Sequence, residues 1–188
     1  MRRRRQGGLQ VVGSALIMLS IFPGLSEVPL PAADDAWPKW RAVCNRLPLP
    51  GQPLPLCRPD WPSIAAMNKA INDLIVYAED DRDHWQPVDE TLTLLTGDCE
   101  DIAIAKYGSL KLAGITDVCL VLAEIAAMPQ NLPHAFLVVE LNGEHRVLDN
   151  KFDQLIEPKD YINLQPKKAF FAAEAVMFAR PVVLADLR

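Results

Sequence analysis

The spacing of apolar residues predicts helices in the middle of the chain. Apolar side chains recur every three or four positions over residues 62–77, which predicts a helix with one buried face. Residues 88–95 predict a short helix or turn that leads into the next element. Residues 98–113 predict a second long helix, which ends at Gly114.

Further along the chain the pattern changes to that of strands. Residues 117–125 predict one strand, and residues 134–141 and 144–150 predict two more. Asn142-Gly143 joins these two and is a strong signal for a two-residue hairpin turn. The tail over residues 169–183 alternates only in part, and a final strand is favoured there. Helices followed by antiparallel strands predict an α+β fold.

The first 26 residues have the pattern of a secretory signal peptide. Residues 2–5 are all Arg, residues 9–25 are largely apolar, and small residues near Ser26 suit a cleavage site. An uncleaved membrane anchor is the alternative interpretation. We favour secretion because the apolar stretch is short and Pro23 interrupts it.

Length and charge narrow the classes of function. The chain of 188 residues is long enough for one domain with a sizeable core. Its net charge of −5 falls to −9 without the leader, which carries four Arg and no acidic residue. An acidic surface argues against nucleic acid as a partner. The expected organisation is a signal peptide over 1–26, a Pro-rich segment with one short helix near 37–45 over 27–61, and a functional domain over 62–188.

The four cysteines are expected to play different roles. Cys44 and Cys57 bracket a Pro-rich loop, and a disulfide between them would offset the entropy of ordering that loop in an oxidising compartment. Cys119 lies in an apolar strand and is expected to be a small buried residue. Cys99 is left as an unpaired thiol in a polar neighbourhood.

Cys99 lies among three carboxylates at the predicted start of a helix. Asp98 suits the N-cap, and Asp101 completes a capping-box pattern. The helix dipole and its free amides favour a thiolate and can bind an oxyanion. Asp98, Glu100 and Asp101 oppose ionisation and should raise the pKa of the thiol. Helix capping explains why the carboxylates are present, but it does not explain why they stand where they raise the pKa of Cys99.

The hairpin predicts which side chains stand beside one another. With a two-residue turn at Asn142-Gly143, Phe136 faces Asp149, and His134 shares the face of Phe136. His134 and Asp149 are then diagonal neighbours, about 7–8 Å apart at Cα, within reach of a His–carboxylate hydrogen bond. Asp149 would hold the imidazole in one tautomer and leave its other nitrogen for a thiol.

Cys99, His134 and Asp149 can therefore supply a nucleophile, a base and an orienting acid. Each also has an ordinary interpretation, as a cysteine at a helix start, a histidine in a strand and an aspartate in a turn. The other histidines, His84 and His145, are weaker candidates, because they lie beside an acidic loop and beside the hairpin turn.

Two stretches resemble the bacterial transglutaminase-like cysteine proteinases. They are GDCEDIAIAKYGSLKLAGI, which contains Cys99, and PHAFLVVELNGEHRVLDN, which contains His134 and Asp149. The segment DHWQPVDETL is similar too, with Trp85 and Pro87 in a W-x-P pattern. The resemblance covers about residues 62–158.

The resemblance implies a papain/transglutaminase-like α+β fold, with the nucleophile at a helix N-terminus packed on an antiparallel sheet. It implies a Cys99–His134–Asp149 triad. It further implies a Ca²⁺ site that uses the acidic residues beside the nucleophile, which here are Asp98, Glu100 and Asp101. The oxyanion is expected near the Cys99 backbone N–H, with the Trp85 side chain as a candidate second donor.

The function implied is that of a periplasmic cysteine endopeptidase acting on a protein substrate, such as a large surface adhesin involved in biofilm formation. Adhesin-cleaving members of the family are held in check by an inner-membrane cyclic-di-GMP receptor. Two alternatives remain open at this point. One is transglutamination or deamidation of glutamine with the same triad, and the other is a non-catalytic, calcium-dependent binding module.

Overall fold

The computed structural model describes residue 21 and residues 27–47, 59–126, 130–161 and 164–178. The expected signal peptide and Cys57 lie outside these ranges, apart from residue 21. The Cys44 thiol is free in the structure, and its pairing with Cys57 stays a prediction. None of the helices in the described ranges combines the length and apolar character needed to cross a lipid bilayer.

The helices precede most of the sheet, as the apolar pattern predicts. In the described ranges they are α1 (Ala36–Arg46), α2 (Trp61–Leu74), α3 (Val88–Leu94) and α4 (Cys99–Leu112). Asp60 caps α2 by accepting a hydrogen bond from the Ser63 N–H, and proline stands in its first turn. A short 3₁₀ helix at Pro158–Asp160 follows later in the chain.

Seven strands of the described ranges form one antiparallel sheet. They are β1 (Glu27–Pro29), β4 (Val118–Ile125), β5 (Leu132–Leu141), β6 (Glu144–Asp149), β7 (Phe152–Ile156), β8 (Leu164–Phe170) and β9 (Ala175–Phe178). Their order across the sheet is β1-β9-β8-β4-β5-β6-β7. Two short strands, β2 (Val76–Tyr77) and β3 (Thr96–Gly97), pair in parallel as a separate two-stranded sheet. The fold is therefore α+β with an antiparallel sheet.

The core occupies both faces of the sheet. On one face the helices pack against inward residues such as Leu120 and Leu137, and on the other Val121 and Phe136 form a second cluster. Trp40 of α1 is fully buried in the first cluster, where its ring meets Tyr107 edge-on. The helix predicted near residues 37–45 thus packs into the core with the following helices.

Two of the predicted elements have a different extent in the structure. The helix predicted over 62–77 ends at Leu74, because the chain becomes extended at Ile75 and then pairs with the chain just before Cys99. The tail contains two strands, β8 and β9, where one final strand was expected. β8 begins at Leu164, before the predicted range, and pairs with the central strand β4.

Candidate active site

The start of α4 fixes the position of Cys99. Asp98 is the N-cap, and its carboxylate accepts hydrogen bonds from the N–H groups of Glu100 and Asp101. The Asp98 N–H in turn donates to the Asp101 Oδ2 atom at 3.2 Å, which confirms the predicted capping box. A Cβ at Gly97 would lie 2.6 Å from that of Asp101, so only glycine fits before the cap. Cys99 is the first residue of the helix.

The hairpin confirms the predicted register. Leu141 pairs with Glu144, and Val139 pairs with Arg146. At its open end the His134 Nε2 atom lies 2.8 Å from the Asp149 Oδ2 atom, and both side chains are buried. The hydrogen bond expected from the pairing is therefore present. It leaves the Nδ1 atom of His134 available for another partner.

Asp149 has partners that the hairpin alone did not reveal. The Tyr161 hydroxyl donates to the same Oδ2 atom as His134, and the Lys151 N–H donates to Oδ1 at 2.8 Å. Burial raises the pKa of Asp149, but hydrogen bonds from His134, Tyr161 and Lys151 outweigh it and hold the pKa below its ordinary value. Asp149 is thus an ionised acceptor. Tyr161 follows a segment without a motif, so only the fold identifies it.

We predict that Tyr161→Phe shifts the acid limb of Cys99 reactivity to higher pH. Without the hydroxyl, Asp149 loses a donor to its charged form, so its pKa should rise. It would then take up a proton at a higher pH than in the native protein. We expect the midpoint of the acid limb to move up by about one to two pH units, since a hydrogen bond to a charged group contributes about 1.5–3 kcal/mol.

Alkylation by iodoacetamide, followed at Cys99 by peptide mass spectrometry, measures this shift. Tyr107→Phe is the matched control, because Tyr107 is also buried but its hydroxyl lies beside Cys44. An acid limb that stays in place in Tyr161→Phe would show that the hydroxyl does not stabilise the Asp149 carboxylate.

The Cys99 thiol is held in its protonated form. Its Sγ atom donates to the Glu100 Oε2 atom at 2.8 Å and also lies at the backbone N–H of Ala135, beside His134. Burial raises the pKa of Cys99, and the charge and hydrogen bond of Glu100 raise it further, well above its ordinary range. The raised pKa of Cys99 expected from the neighbouring carboxylates is therefore present in the structure.

Cys99 and His134 line one cleft with a volume of about 570 Å³. Its walls also include Tyr77, Leu132, Pro133 and Lys151, and the acidic loop over residues 79–83 together with Asp98 and Glu100. The acidic loop over residues 79–83 therefore lies at the same cleft as Cys99 and His134. The cleft is strongly acidic, with Arg82 and Lys151 as the positive side chains among its lining residues.

The acidic residues beside Cys99 divide into two roles. Ligand atoms of Asp98, Cys99 and Glu100 lie within 4.8 Å of one another. Asp101 is fully buried, and both of its carboxylate oxygens accept hydrogen bonds from the backbone. Its Oδ1 atom accepts from the Gln86 N–H at 2.7 Å, and its Oδ2 atom accepts from the N–H of the N-cap residue Asp98. The carboxylates of Asp98 and Glu100 suit a hard cation that prefers oxygen ligands.

Charge crowding also affects the two aspartates. Burial, followed by the charge of Glu100, raises the pKa of Asp98 to about 7. Burial likewise raises the pKa of Asp101 to about 7, although the hydrogen bond from the Gln86 N–H acts to lower it. Burial is the larger cause at both groups, and nearby negative charge, from Glu100 at Asp98 and from Asp98 at Asp101, adds to it.

Three other residues were candidates from the sequence, Trp85 as an oxyanion donor and His84 and His145 as bases, and each has a partner away from Cys99 and His134. The Trp85 indole N–H donates to the Asp83 Oδ1 atom at 3.1 Å, so this donor already has an acceptor. His84 is exposed and lies 3.1 Å from Glu90, and His145 pairs with Glu140 beside the hairpin turn. Neither histidine lines the cleft that contains Cys99.

Comparisons with known proteins agree with the geometry. A family model described as bacterial transglutaminase-like cysteine proteinase BTLCP matches residues 39–165. None of the curated proteins matches the chain. The calcium-bound structure of Legionella pneumophila LapG is similar at 23% identity and a TM-score of 0.54, covering 74% of this chain and 76% of that one. The EGTA-treated structure has the same identity and TM-score, covering 75% and 74%. These likenesses show a common fold.

Proposed function

Because the chain belongs to the bacterial transglutaminase-like cysteine proteinases, we propose that it is a periplasmic endopeptidase that uses Cys99, His134 and Asp149. The family makes the chain a cysteine peptidase. The observation that carries the site assignment is the buried His134–Asp149 hydrogen bond of 2.8 Å in the cleft that also contains Cys99 at a helix N-terminus.

The proposed acylation step begins with a proton transfer. His134 takes the thiol proton of Cys99 on Nδ1, since Nε2 faces Asp149. The sulfur attacks the scissile carbonyl carbon, and the carbonyl electron pair moves onto oxygen. The backbone N–H of Cys99, which has no partner within the helix at this position, would stabilise that oxyanion. Collapse of the intermediate breaks the C–N bond, and the amine leaves with the proton from His134.

Deacylation repeats these steps with water as the nucleophile in place of the thiol. His134 accepts a proton from water as the water oxygen attacks the thioester carbon, and the carbonyl electron pair moves onto oxygen. When that pair returns, the C–S bond breaks, the carboxylic acid is released, and the proton on His134 passes to the Cys99 sulfur. Asp149 stays ionised through both steps and stabilises the imidazolium, because its pKa lies below the ordinary value. Tyr161 and the Lys151 N–H hold the Asp149 carboxylate in this orientation.

We also propose that the peptidase depends on Ca²⁺. Asp98 and Glu100 would hold the ion with help from the acidic loop over 79–83, and Asp101 would position the helix start through its bonds to Gln86 and Asp98. When bound, Ca²⁺ supplies positive charge that offsets the carboxylates around the thiol. The Glu100 carboxylate would then no longer accept the hydrogen bond from the Cys99 thiol. The thiol would instead be free to donate to His134. One solved structure of LapG is described as calcium-bound, which supports this proposal.

The proposed substrate is a large surface adhesin, and the proposed regulator is an inner-membrane cyclic-di-GMP receptor. Both follow from the family resemblance and from the leader-like first 26 residues. We expect Cys99→Ala cells to retain a large surface protein that wild-type cells release. Comparison of surface proteins by mass spectrometry measures this. The control is Cys99→Ala complemented with the wild-type chain.

Two outcomes would contradict the proposed function. Identical surface proteins in both strains would remove the adhesin as a substrate. Release of ammonia from glutamine without cleavage of a peptide bond would instead indicate transglutaminase-type acyl transfer with the same residues.

A further inference from the structure

Large apolar side chains are exposed on two paired segments beside the cleft. The segments are residues 74–77 and 94–95, at the ends of α2 and α3 and in β2. They are held together because the Val76 N–H donates to the Leu95 carbonyl oxygen at 2.9 Å. We call their exposed residues the β2 patch, which consists of Leu74, Val76, Tyr77, Leu94 and Leu95. Apolar side chains grouped in one area of a protein surface mark an interaction site, whereas scattered ones do not.

Leu95 adopts a backbone conformation that is costly for leucine. Its φ of 55° and ψ of 25° place it in the left-handed region, directly after the last residue of α3. Glycine or asparagine is the usual residue where a chain leaves a helix in this conformation, because other side chains are strained there. Leu95 is also 39% exposed, so packing within the described residues does not account for the choice of leucine. A contact with a bound chain would account for it.

β2 also offers backbone groups for pairing. The N–H groups of Val76 and Ala78 point towards β3, and that of Ala78 donates to the Gly97 carbonyl oxygen at 2.9 Å. Tyr77 lies between them, so its own N–H and carbonyl oxygen point away from β3. In the part of the chain that the structure describes, no other strand pairs with β2. An extended chain can add to such an edge through main-chain hydrogen bonds.

The β2 patch leads directly into the cleft of the proposed triad. Tyr77 lines this cleft together with Cys99, and a single residue separates the end of β3 from Cys99. Leu132 and Pro133, which directly precede His134, add apolar surface to the same cleft. A chain paired with the edge of β2 would therefore reach the Cys99 thiol within a few residues.

We propose that the β2 patch docks an extended, apolar segment of the protein substrate beside the bond that Cys99 cleaves. This inference rests on the proposed peptidase function. The segment pairs with the backbone of Tyr77, and its side chains contact Val76, Leu94 and Leu95. The substrate is the occupant because it must lie next to Cys99 to be cleaved, and the patch is continuous with that cleft.

The test compares four single variants with the native chain in the presence of Ca²⁺. The probe is a peptide library made by tryptic digestion of a bacterial lysate. Val76→Thr, Leu94→Gln and Leu95→Asn each remove apolar surface from the patch. Leu112→Gln is the matched control, because Leu112 is 42% exposed at the opposite end of α4 from Cys99.

Three measurements are made on each variant. Mass spectrometry identifies the residues on both sides of the cleaved bonds, and kcat and KM are determined on one peptide that the native chain cleaves. Alkylation of Cys99 by iodoacetamide reports the reactivity of the thiol without involving the patch, since this probe is too small to contact both. The melting temperature reports folding.

We expect the native chain to favour bonds with Leu, Ile, Val or Phe nearby on one side. Each patch variant should weaken this preference and raise KM about fivefold, since partial burial of a Leu or Val side chain contributes about that factor to binding. The value of kcat should stay within about twofold, because the lost contact holds substrate and transition state equally. Alkylation of Cys99 should not change, and Leu112→Gln should match the native chain throughout.

Leu95→Asn separates docking from a structural role. Its melting temperature should rise, because asparagine is less strained than leucine in the left-handed region, while its KM should also rise. A loss of folding cannot produce both changes.

Three results would overturn the inference. They are cleavage by the native chain without an apolar preference, a native KM in Leu95→Asn, and a dimer of the native chain that Val76→Thr dissociates. The dimer would assign the patch to the contact between two copies. A native chain with a reactive Cys99 that cleaves no peptide of the library would instead contradict the proposed peptidase function, and the inference would fall with it.

Discussion

Replacing His134 by alanine should lower the rate of peptide-bond cleavage by about 10³-fold, because general acid–base catalysis typically contributes 10²–10⁴. The thiol of Cys99 would have no base to receive its proton, and burial together with Glu100 would keep it protonated. The leaving amine would also lack a proton donor. The measurement is cleavage of the substrate by the purified variant, with the melting temperature as a check on folding.

The other histidines are the matched controls for this variant. His84→Ala and His145→Ala should leave cleavage within about twofold of the native rate, because neither side chain lines the cleft that contains Cys99. His134 is buried and stacks on Phe136, so His134→Gln serves as a second variant of similar volume. Loss of cleavage in His84→Ala or His145→Ala, with His134→Ala active, would assign the base to another residue.

Removal of Ca²⁺ should lower Cys99 reactivity at pH 7 by about 100-fold, since two units of thiol pKa change the thiolate fraction by that factor. The physical reason is the negative charge of Asp98 and Glu100 beside the thiol, which no bound cation offsets in the chelated protein. Alkylation and substrate cleavage are measured in chelator and again after Ca²⁺ is restored. Mg²⁺ should restore little, because it demands a tighter octahedral shell.

The pH dependence of stability gives a second measure of the same site. In the chelated protein the pKa values of Asp98 and Asp101 are raised to about 7 from an ordinary 3.8. Between these values the folded chain binds more protons than the unfolded chain, so stability should fall as pH rises from about 4 to 7. Ca²⁺ should reduce this slope, because a bound cation favours the charged form of Asp98.

Glu100→Gln separates the charge effect from a structural effect of the ion. In chelator this variant should alkylate faster than the native chain, because the largest source of negative charge beside the thiol is removed. Its response to Ca²⁺ should be weaker, since one ligand has lost its charge. Full native activity in chelator, with a melting temperature that does not respond to Ca²⁺, would contradict the calcium proposal and leave the carboxylates as helix caps.

Local patterns predicted the parts of the site that depend on neighbouring residues. The capping box at Asp98 and Asp101 needs only residues three apart, and it is present. The hairpin register follows from Asn142-Gly143 and the alternation of side chains, and it brings His134 to Asp149. Side-chain periodicity and turn chemistry act over a few residues, so one sequence is enough to apply them.

Contacts between distant segments could not be predicted in this way. Tyr161 reaches Asp149 because the 3₁₀ turn at Pro158–Asp160 directs the chain back over the sheet. Asp101 binds the Gln86 N–H across a loop, which removes it from the set of ligands suggested by its position beside Cys99. Lys106 has the periodicity of a helix residue, and only tertiary packing shows that it is buried. Such contacts are set by the arrangement of elements, on which local propensity carries little information.

The short span of the hairpin has a consequence for the order of folding. His134 and Asp149 are 15 residues apart and meet by closing one β-turn. Cys99 must dock its helix against strands from later in the chain, at a higher loop-closure cost. The base and its carboxylate can therefore assemble early in folding, while the nucleophile joins them only when helix and sheet dock. A partly folded chain would then carry no complete site, so proteolysis would begin only after folding is finished.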